Sequence, residues 1–311
     1  MRKTDMRQDL ISVIMSTYNE SEQQLECSIL SIINQSYKNI EFIIINDNPE
    51  NTALSNYLNH ITDERVKIYE NECNLGLVTS LNKAISFARG KYLARMDADD
   101  IAMPDRLEEQ LSYLLENNLD MIGSDIQLIN EDGSLAQRRM HFPVSHEQIC
   151  KYMRWGNCLA HPTWLVKQDV YDALGGYRNV KSCEDYDFIL RALATNRFRI
   201  GNLPKIELQY RIRKNGISKS TEGMQYVLRN YLSHNRININ NITEENFKIY
   251  VASASFNKDV AKYMLYKEHK KAFKEQKSIS RFLYIISNKF FYITQVEKYW
   301  LRKREKCDGV I

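Results

Sequence analysis

The feature that most constrains the fold is a hydrophobic period that switches back and forth through the first hundred residues, with apolar runs stopping on polar clusters. Residues 11–16 form a short apolar run of strand character that gives way to Thr17-Tyr18-Asn19-Glu20. Leu25, Ile29, Ile32 and Ile33 then recur at helical spacing. A continuous apolar run at 40–45 ends in Asn46-Asp47-Asn48-Pro49, a turn signal. Leu54, Tyr57 and Leu58 mark a second helix, and 66–69 a third strand. Leu77, Leu81, Ala84, Ile85 and Ala88 share one helix face, closed by Gly90. Residues 91–96 form the next strand and run directly into Asp97.

Strand, helix, strand, helix in this rhythm predicts an α/β fold, a mostly parallel sheet covered by helices. In such sheets ligands sit beyond the carboxyl ends of the strands. Residues 17–20, Asp47 and residues 97–100 all occupy that position, so they are expected to converge on one cleft. Further on, Pro104 opens a helix over 105–117, and 121–130 reads as a strand followed by a turn at 130–133. The pattern loosens until a short strand at 163–166. Gly175 and Gly176 close a short helix over 168–174. A helix over 184–195 and a last strand over 206–212 follow. Beyond about residue 220 the chain reads as wholly helical, giving an α/β body, 1–219, and a helical C-terminal region, 220–311.

The two parts differ in charge. The body holds 26 Lys/Arg against 30 Asp/Glu, and the helical region holds 17 against 9. A basic region suits an anionic partner such as a phospholipid surface, or is simply a solvated helical face. No zinc-ligand spacing and no basic–aromatic interleaving precedes the tail, so nucleic acid is not expected. The six Cys lack C-x-x-C spacing and read as reduced thiols. The first ten residues have no apolar core of a signal peptide, and no apolar run reaches the ~18 residues of a membrane span. The expected compartment is the cytoplasm, with the inner membrane face as an option.

Asp97 and Asp99 are two apart at a strand end, where extended backbone aims both carboxylates the same way. Two hard oxygen ligands make a partial site for Mg²⁺ or Mn²⁺, with positions left for phosphate oxygens and water. D-x-D is also common on ordinary surfaces. Its place after an apolar strand favours the metal reading, because three adjacent carboxylates repel unless a cation sits among them. Asp47 can accept from a nucleobase N–H or serve as a plain turn residue. Thr17, Tyr18 and Glu20 are ordinary loop residues taken singly, though Tyr18 could stack on a base. Glu184-Asp185-Tyr186-Asp187 opens a helix, where acidic residues complement the dipole; a general base toward an acceptor hydroxyl is the alternative. His161, between Trp155 and Trp164, reads as a structural histidine or a ligand. Neither a G-x-x-x-x-G-K-[ST] phosphate loop nor a G-x-S-x-G elbow is present.

Taken in order, these segments resemble glycosyltransferase family 2, inverting enzymes of the GT-A fold. The resemblance rests on residues 12–20, on Ile43-Ile44-Ile45-Asn46-Asp47, and on Asn74-Leu75-Gly76 followed by Leu81-Asn82-Lys83-Ala84-Ile85. It is strongest over residues 90–100, which end in Arg95-Met96-Asp97-Ala98-Asp99-Asp100 and continue to Met103-Pro104-Asp105-Arg106-Leu107. His161-Pro162-Thr163, Gly175-Gly176-Tyr177, Glu184-Asp185-Tyr186-Asp187 and Tyr210-Arg211 complete it, so that it covers about residues 10–220. It implies a GT-A domain over 1–219 that binds a UDP-sugar through Thr17, Tyr18, Glu20, Asp47, Asn82, Asp97 and Arg213. Asp99, with Asp97 and Asp100, would hold Mn²⁺ or Mg²⁺. Asp185 would be the catalytic base, with Glu184, His161 and Trp164 on the acceptor side.

Three departures from the family pattern matter. Many relatives carry an acid where this chain has Asn46. Many end the last strand with Tyr-Arg-x-His, whose His can serve as a metal ligand; here it is Tyr210-Arg211-Ile212-Arg213, and Arg213 suits a diphosphate instead. No Q-x-x-R-W motif occurs, which argues against a processive synthase. Bacterial relatives of the D-x-D-D form often add a hexose to an amino sugar on a polyprenyl diphosphate, in O-antigen or capsule synthesis. The resemblance therefore implies a lipid-linked acceptor. The aromatic, basic stretch 279–306 would rest on an anionic bilayer, or pack back onto the core or on a second subunit. A sugar-1-phosphate nucleotidyltransferase is the alternative enzyme, but it needs a Gly-rich loop that residues 17–20 lack. A carbohydrate-binding protein with a decayed site is the alternative outside enzymes.

Overall fold

The structure, a computed structural model, describes residues 9–180, 182–213, 221–275, 278–291 and 295. The chain divides into two compact units. The first is Met1–Ile149, Cys158–Asn179 and Thr195–Lys214; the second is Cys150–Asn157, Val180–Ala194 and Asn215–Ile311. Two segments from within the α/β body, 150–157 and 180–194, thus cluster with the C-terminal helices.

The first unit opens with β1 (Ile11–Thr17), α1 (Glu22–Ile33), β2 (Ile40–Asn46), α2 (Thr52–Asn59), β3 (Val66–Glu70), α3 (Leu77–Phe87) and β4 (Tyr92–Arg95). β2 is buried along its whole length, as a central strand with both faces covered must be. α1 starts on a capping box, in which Ser21 and Gln24 satisfy each other's backbone N–H. Its Leu25, Ile29 and Ile32 are buried, as the helical spacing requires. The second half adds β5 (Ile101–Ala102), α4 (Arg106–Glu116), β6 (Met121–Ile129), β7 (Leu135–Met140), α5 (His146–Tyr152, whose last three residues fall in the second unit), β8 (Leu165–Lys167), α6 (Gln168–Leu174) and β9 (Ile200–Arg211).

The strands form one sheet in the order β3-β2-β1-β4-β8-β6-β9-β5, with β7 on β6. β3, β2, β1 and β4 pair in parallel, as the alternation predicts. The remainder is mixed: β8 lies antiparallel between β4 and β6, β6 and β9 are parallel, β5 is antiparallel to β9 and β7 antiparallel to β6. Because β1, β2 and β4 are parallel neighbours, their carboxyl ends share one edge. Thr17, Asp47 and Asp97 are delivered there by register, with the Asp47 N–H donating to the Thr17 carbonyl at 2.9 Å.

The second unit holds α7 (Glu184–Ala194), α8 (Glu222–His234), α9 (Glu244–Ala252), α10 (Ala254–Glu275) and α11 (Ile279–Ser287). Its core includes Tyr226, Tyr263, Tyr266, Ile285 and Phe290. α11 therefore packs one face inward while Ile279, Phe282 and Leu283 stay exposed. Of the 279–306 stretch, residues 292–294 and 296–306, including Ile293, Trp300 and the basic Lys298, Arg302, Lys303 and Arg304, lie outside the described residues. Among the described residues no helix is long and apolar enough to cross a membrane.

Candidate functional site

In the first unit the three carboxylates do come together, but through a turn rather than extended backbone: β4 ends at Arg95, and the Asp100 N–H donates to the Asp97 carbonyl at 3.4 Å. Ligand oxygens of Asp97, Asp99 and Asp100 lie within 4.8 Å of one another. At that spacing each ionised pair repels by on the order of 3 kcal/mol at an effective dielectric of 20. The chain supplies partial compensation. Arg95, buried on β4, ion-pairs with Asp97. Arg213 donates from Nε to Asp99 Oδ2 at 2.5 Å and from Nη2 to Glu20 Oε1 at 3.0 Å. The Arg211 backbone N–H donates to Asp100 Oδ1 at 2.8 Å. Its guanidinium is taken up by the carbonyls of Asp99, Asn130 and Glu131.

The compensation is incomplete. Asp100 Oδ2 is buried with no hydrogen-bond partner. Burial, with Asp97 and Asp99 beside it, holds the Asp100 carboxyl well above the usual carboxylate range. Burial and the Asp97 charge push Asp99 up to about 6, against the opposing pull of Arg213. Burial alone would weaken the charge on Arg95, but Asp97 more than offsets it and the guanidinium stays firmly protonated. Ligand atoms around an ion at about 2.1 Å are at most about 4.2 Å apart. Small side-chain rotations close that gap, so three hard oxygens, one of them orphaned, fit a Mg²⁺ or Mn²⁺ ion.

Glu20 ties the first loop to this cluster. Its Oε2 accepts from the Thr17 hydroxyl at 2.7 Å and the Tyr18 N–H at 2.8 Å, while Oε1 meets Arg213. Tyr18 is 42% exposed, so its ring is available for stacking. Asp47 is buried and anchors the 71–76 loop. Its Oδ1 accepts from Asn71 Nδ2 at 2.7 Å and the Leu75 N–H at 2.8 Å, its Oδ2 from the Gly76 N–H at 2.9 Å. Gly76 aims that N–H with φ +85°, a conformation glycine adopts without strain, which explains the glycine of Asn74-Leu75-Gly76. A base edge would reach Asp47 only through its remaining lone pairs.

Three residues assigned to ligands by resemblance have a different place in the structure. Asn82 clamps the backbone of Tyr177, accepting from its N–H and donating to its carbonyl, each at 2.9 Å. Both ends of its amide are thereby engaged inside the protein. Trp164 has no exposed surface. His161 packs against it with ring centroids 4.4 Å apart, and its Nε2 meets the Tyr177 hydroxyl at 2.8 Å. Burial, with Arg95 nearby, lowers the His161 pKa far enough to keep the ring neutral. Sequence reasoning passed over Arg95. The signal was available: a charged residue inside an apolar strand, two positions before Asp97.

In the second unit, α7 carries Glu184 and Asp185 in its first turn, where the helix dipole favours acids. Glu184 is buried, and Asp187 is committed to Arg191 at 2.8 Å. Asp185 is half-buried. Its Oδ2 accepts from Asn157 Nδ2 at 2.6 Å and its Oδ1 from the Tyr186 N–H at 2.7 Å. Two donors in fixed positions hold the carboxylate in one orientation at the wall of a cavity of about 330 Å³.

Residues 12–175 match the family model described as glycosyl transferase family 2. Among curated proteins, the O-antigen biosynthesis glycosyltransferase WbnJ of Escherichia coli is 39% identical over 74% of this chain and 91% of its own length. The Escherichia coli UDP-Glc:alpha-D-GlcNAc-diphosphoundecaprenol beta-1,3-glucosyltransferase WfgD is 28% identical over 68% of this chain and 80% of its own. The crystal structure of S. aureus TarS 1–349 in complex with UDP-GlcNAc superposes with a TM-score of 0.59 at 18% identity. It covers 89% of this chain and 78% of that one, a likeness of fold.

Proposed function

The chain belongs to glycosyltransferase family 2 and is a glycosyltransferase with a GT-A-like fold, and from that premise we propose that it transfers a sugar from a UDP-sugar to a lipid-linked saccharide, with inversion, in bacterial polysaccharide synthesis. The observation that carries this reading is the cluster of Asp97, Asp99 and Asp100, tied through Arg213 and Glu20 to the loop at the end of β1. Asp99 and Asp100 would hold Mn²⁺ or Mg²⁺ directly, with Asp97 as a further ligand, and the bound ion would supply charge stabilisation for the departing diphosphate. Thr17, Tyr18, Glu20 and Asp47 line the nucleoside side, with Tyr18 free to stack on uracil. Arg213 turns from Asp99 to the diphosphate when the donor loads, a bidentate partner for phosphate oxygens.

Asp185, oriented by Asn157 and the Tyr186 N–H, takes the proton of the acceptor hydroxyl as it attacks the anomeric carbon. The name of the WfgD relative, with its UDP-glucose donor and diphosphoundecaprenol-linked GlcNAc acceptor, supports this class of substrates. An exposed Ile279, Phe282 and Leu283 beside Arg281 and Lys289 suit rest on an anionic bilayer, where such an acceptor resides. The test is thermal melting with nucleotide and metal. UDP is expected to raise the melting temperature when Mn²⁺ or Mg²⁺ is present and much less in EDTA. The absence of any shift with UDP in either condition would overturn the donor site.

A further inference from the structure

Arg95 closes β4 as the strand's only basic residue, two positions before Asp97. Its side chain is 3% exposed and pairs through Nη2 with Asp97 Oδ1. Nε and Nη1 are buried without a hydrogen-bond partner. Burying a guanidinium with two of its groups unmet costs stability. Among the described residues Asp97 is its single ion-pair partner. The other groups that feel its charge from below the cluster are neutral. They are the His161 ring and the Tyr171 and Tyr177 hydroxyls, which meet each other at 3.1 Å.

Arg95 differs in kind from Arg213, the other guanidinium on the cluster. Arg213 is 24% exposed and is held by two carboxylates, so it can swing away. Arg95 has no such freedom. Its N–H donates to the Trp164 carbonyl at 2.9 Å, and its carbonyl accepts from Arg106 Nη2 at 2.8 Å. Arg106 is buried as well, but Glu207 weighs most among the acids acting on it, and at pH 8 that pair balances itself. Counting only charges that stay, three carboxylates and one guanidinium leave two negative charges for an ion to neutralise. The hold on Oδ1 also leaves Asp97 a single oxygen to offer.

We propose, resting on the reading of the cluster as a metal site, that Arg95 is a positioning residue with two effects. It matches the charge of the site to a divalent ion, and it presents Asp97 as a one-oxygen ligand. With Arg95 in place a trivalent ion overcharges the site, and Arg213 is left for the diphosphate. Without Arg95 the site carries three negative charges, and its preference moves toward trivalent ions.

Competition between Mn²⁺ and Tb³⁺ on the nucleotide-free full chain at pH 8 tests this, with displaced Mn²⁺ read by its electron paramagnetic resonance. A fixed positive charge opposes three charges more than two. Across the width of a carboxylate, at an effective dielectric of 20, the difference is on the order of tenfold or more in affinity ratio. Arg95→Met should shift the ratio toward Tb³⁺ by at least that much. The Asp97 side chain is 29% exposed, so solvent takes up the charge that this variant unpairs. Arg95→Lys keeps the charge and loses the fork. It should keep the wild-type ratio while binding both ions more weakly. Arg213→Gln removes a cation that leaves in any case, and should tighten both ions alike. Mn²⁺ bound by wild type with an unchanged ratio in Arg95→Met, or a shifted ratio in Arg95→Lys, would overturn the role of Arg95. No Mn²⁺ bound by wild type would overturn the metal reading on which that role rests.

Discussion

Replacing Arg213 by Gln should tighten metal binding in the absence of nucleotide. Asp99 Oδ2 is held by Arg213 Nε at 2.5 Å, so a metal that uses that oxygen must first displace the guanidinium. A hydrogen bond to a charged group contributes about 1.5–3 kcal/mol. The Arg213 side chain is 24% exposed and that of Asp99 16%, so solvent screening argues for the lower end, about 1.5 kcal/mol or roughly tenfold in affinity. A second effect opposes the first. Without Arg213, Asp99 loses the charge that restrains its pKa, and the carboxyl rises further above about 6. At pH 8 that proton competition is small, so the gain should be visible there and should fade toward pH 6. The assay is direct Mn²⁺ titration of nucleotide-free protein, read by the electron paramagnetic resonance of free Mn²⁺, at both pH values. The same variant should bind UDP more weakly once Mn²⁺ is saturating, because the diphosphate loses its partner. Unchanged or weakened Mn²⁺ affinity at pH 8 would show that Arg213 does not compete with the ion.

Two further substitutions test the electrostatics. Asp100→Asn keeps an acceptor for the Arg211 N–H and removes a buried carboxyl that can ionise only against Asp97 and Asp99. Its metal-free melting temperature should rise by about 1–2 °C, equivalent to about 1 kcal/mol, while its Mn²⁺-induced shift should shrink. Glu207 is fully buried on β9, and burial, with Glu109 nearby, pushes its carboxyl up to about 7. A folded-state pKa above the unfolded 4.5 contributes stability that is full below pH 4.5 and lost as pH rises through about 7. Urea midpoints should therefore fall between pH 5 and 8 in wild type, and fall less in Glu207→Gln.

The alternation of period made the parallel half of the sheet legible, because β1, β2, β3 and β4 are each bounded by turn or helix signals. The antiparallel half was not legible in the same way. β5 has only two residues and β7 is largely exposed, so neither carries an apolar pattern. β9 begins at Ile200, six residues before the predicted strand. Its pairing with β6 jumps from Ser124 opposite Leu203 to Asp125 opposite Ile206, so Pro204 and Lys205 bulge outward. A proline cannot donate to the ladder, and that bulge hid the first part of the strand. At the site, the carboxylates were readable from their spacing at a strand end. The Arg213–Asp99 pairing was not, because the two residues are 114 apart and such pairing leaves no local pattern, whereas Arg95 stood two residues from its partner Asp97 and was legible. Asn82 and Trp164 looked like ligand residues from motif order, and only packing shows Asn82 clamping Tyr177 and Trp164 filling the core.

Product mass tests the central claim most directly. The full chain is incubated with octyl diphospho-α-GlcNAc, Mn²⁺ and a panel of UDP-sugars, beside Asp185→Asn and an EDTA control. The account predicts addition of one sugar from at least one donor, loss of about 10²–10⁴ in rate for Asp185→Asn, and loss of product in EDTA. A product formed equally well by Asp185→Asn would contradict the assignment of the base, and no product from any UDP-sugar would contradict the proposed reaction.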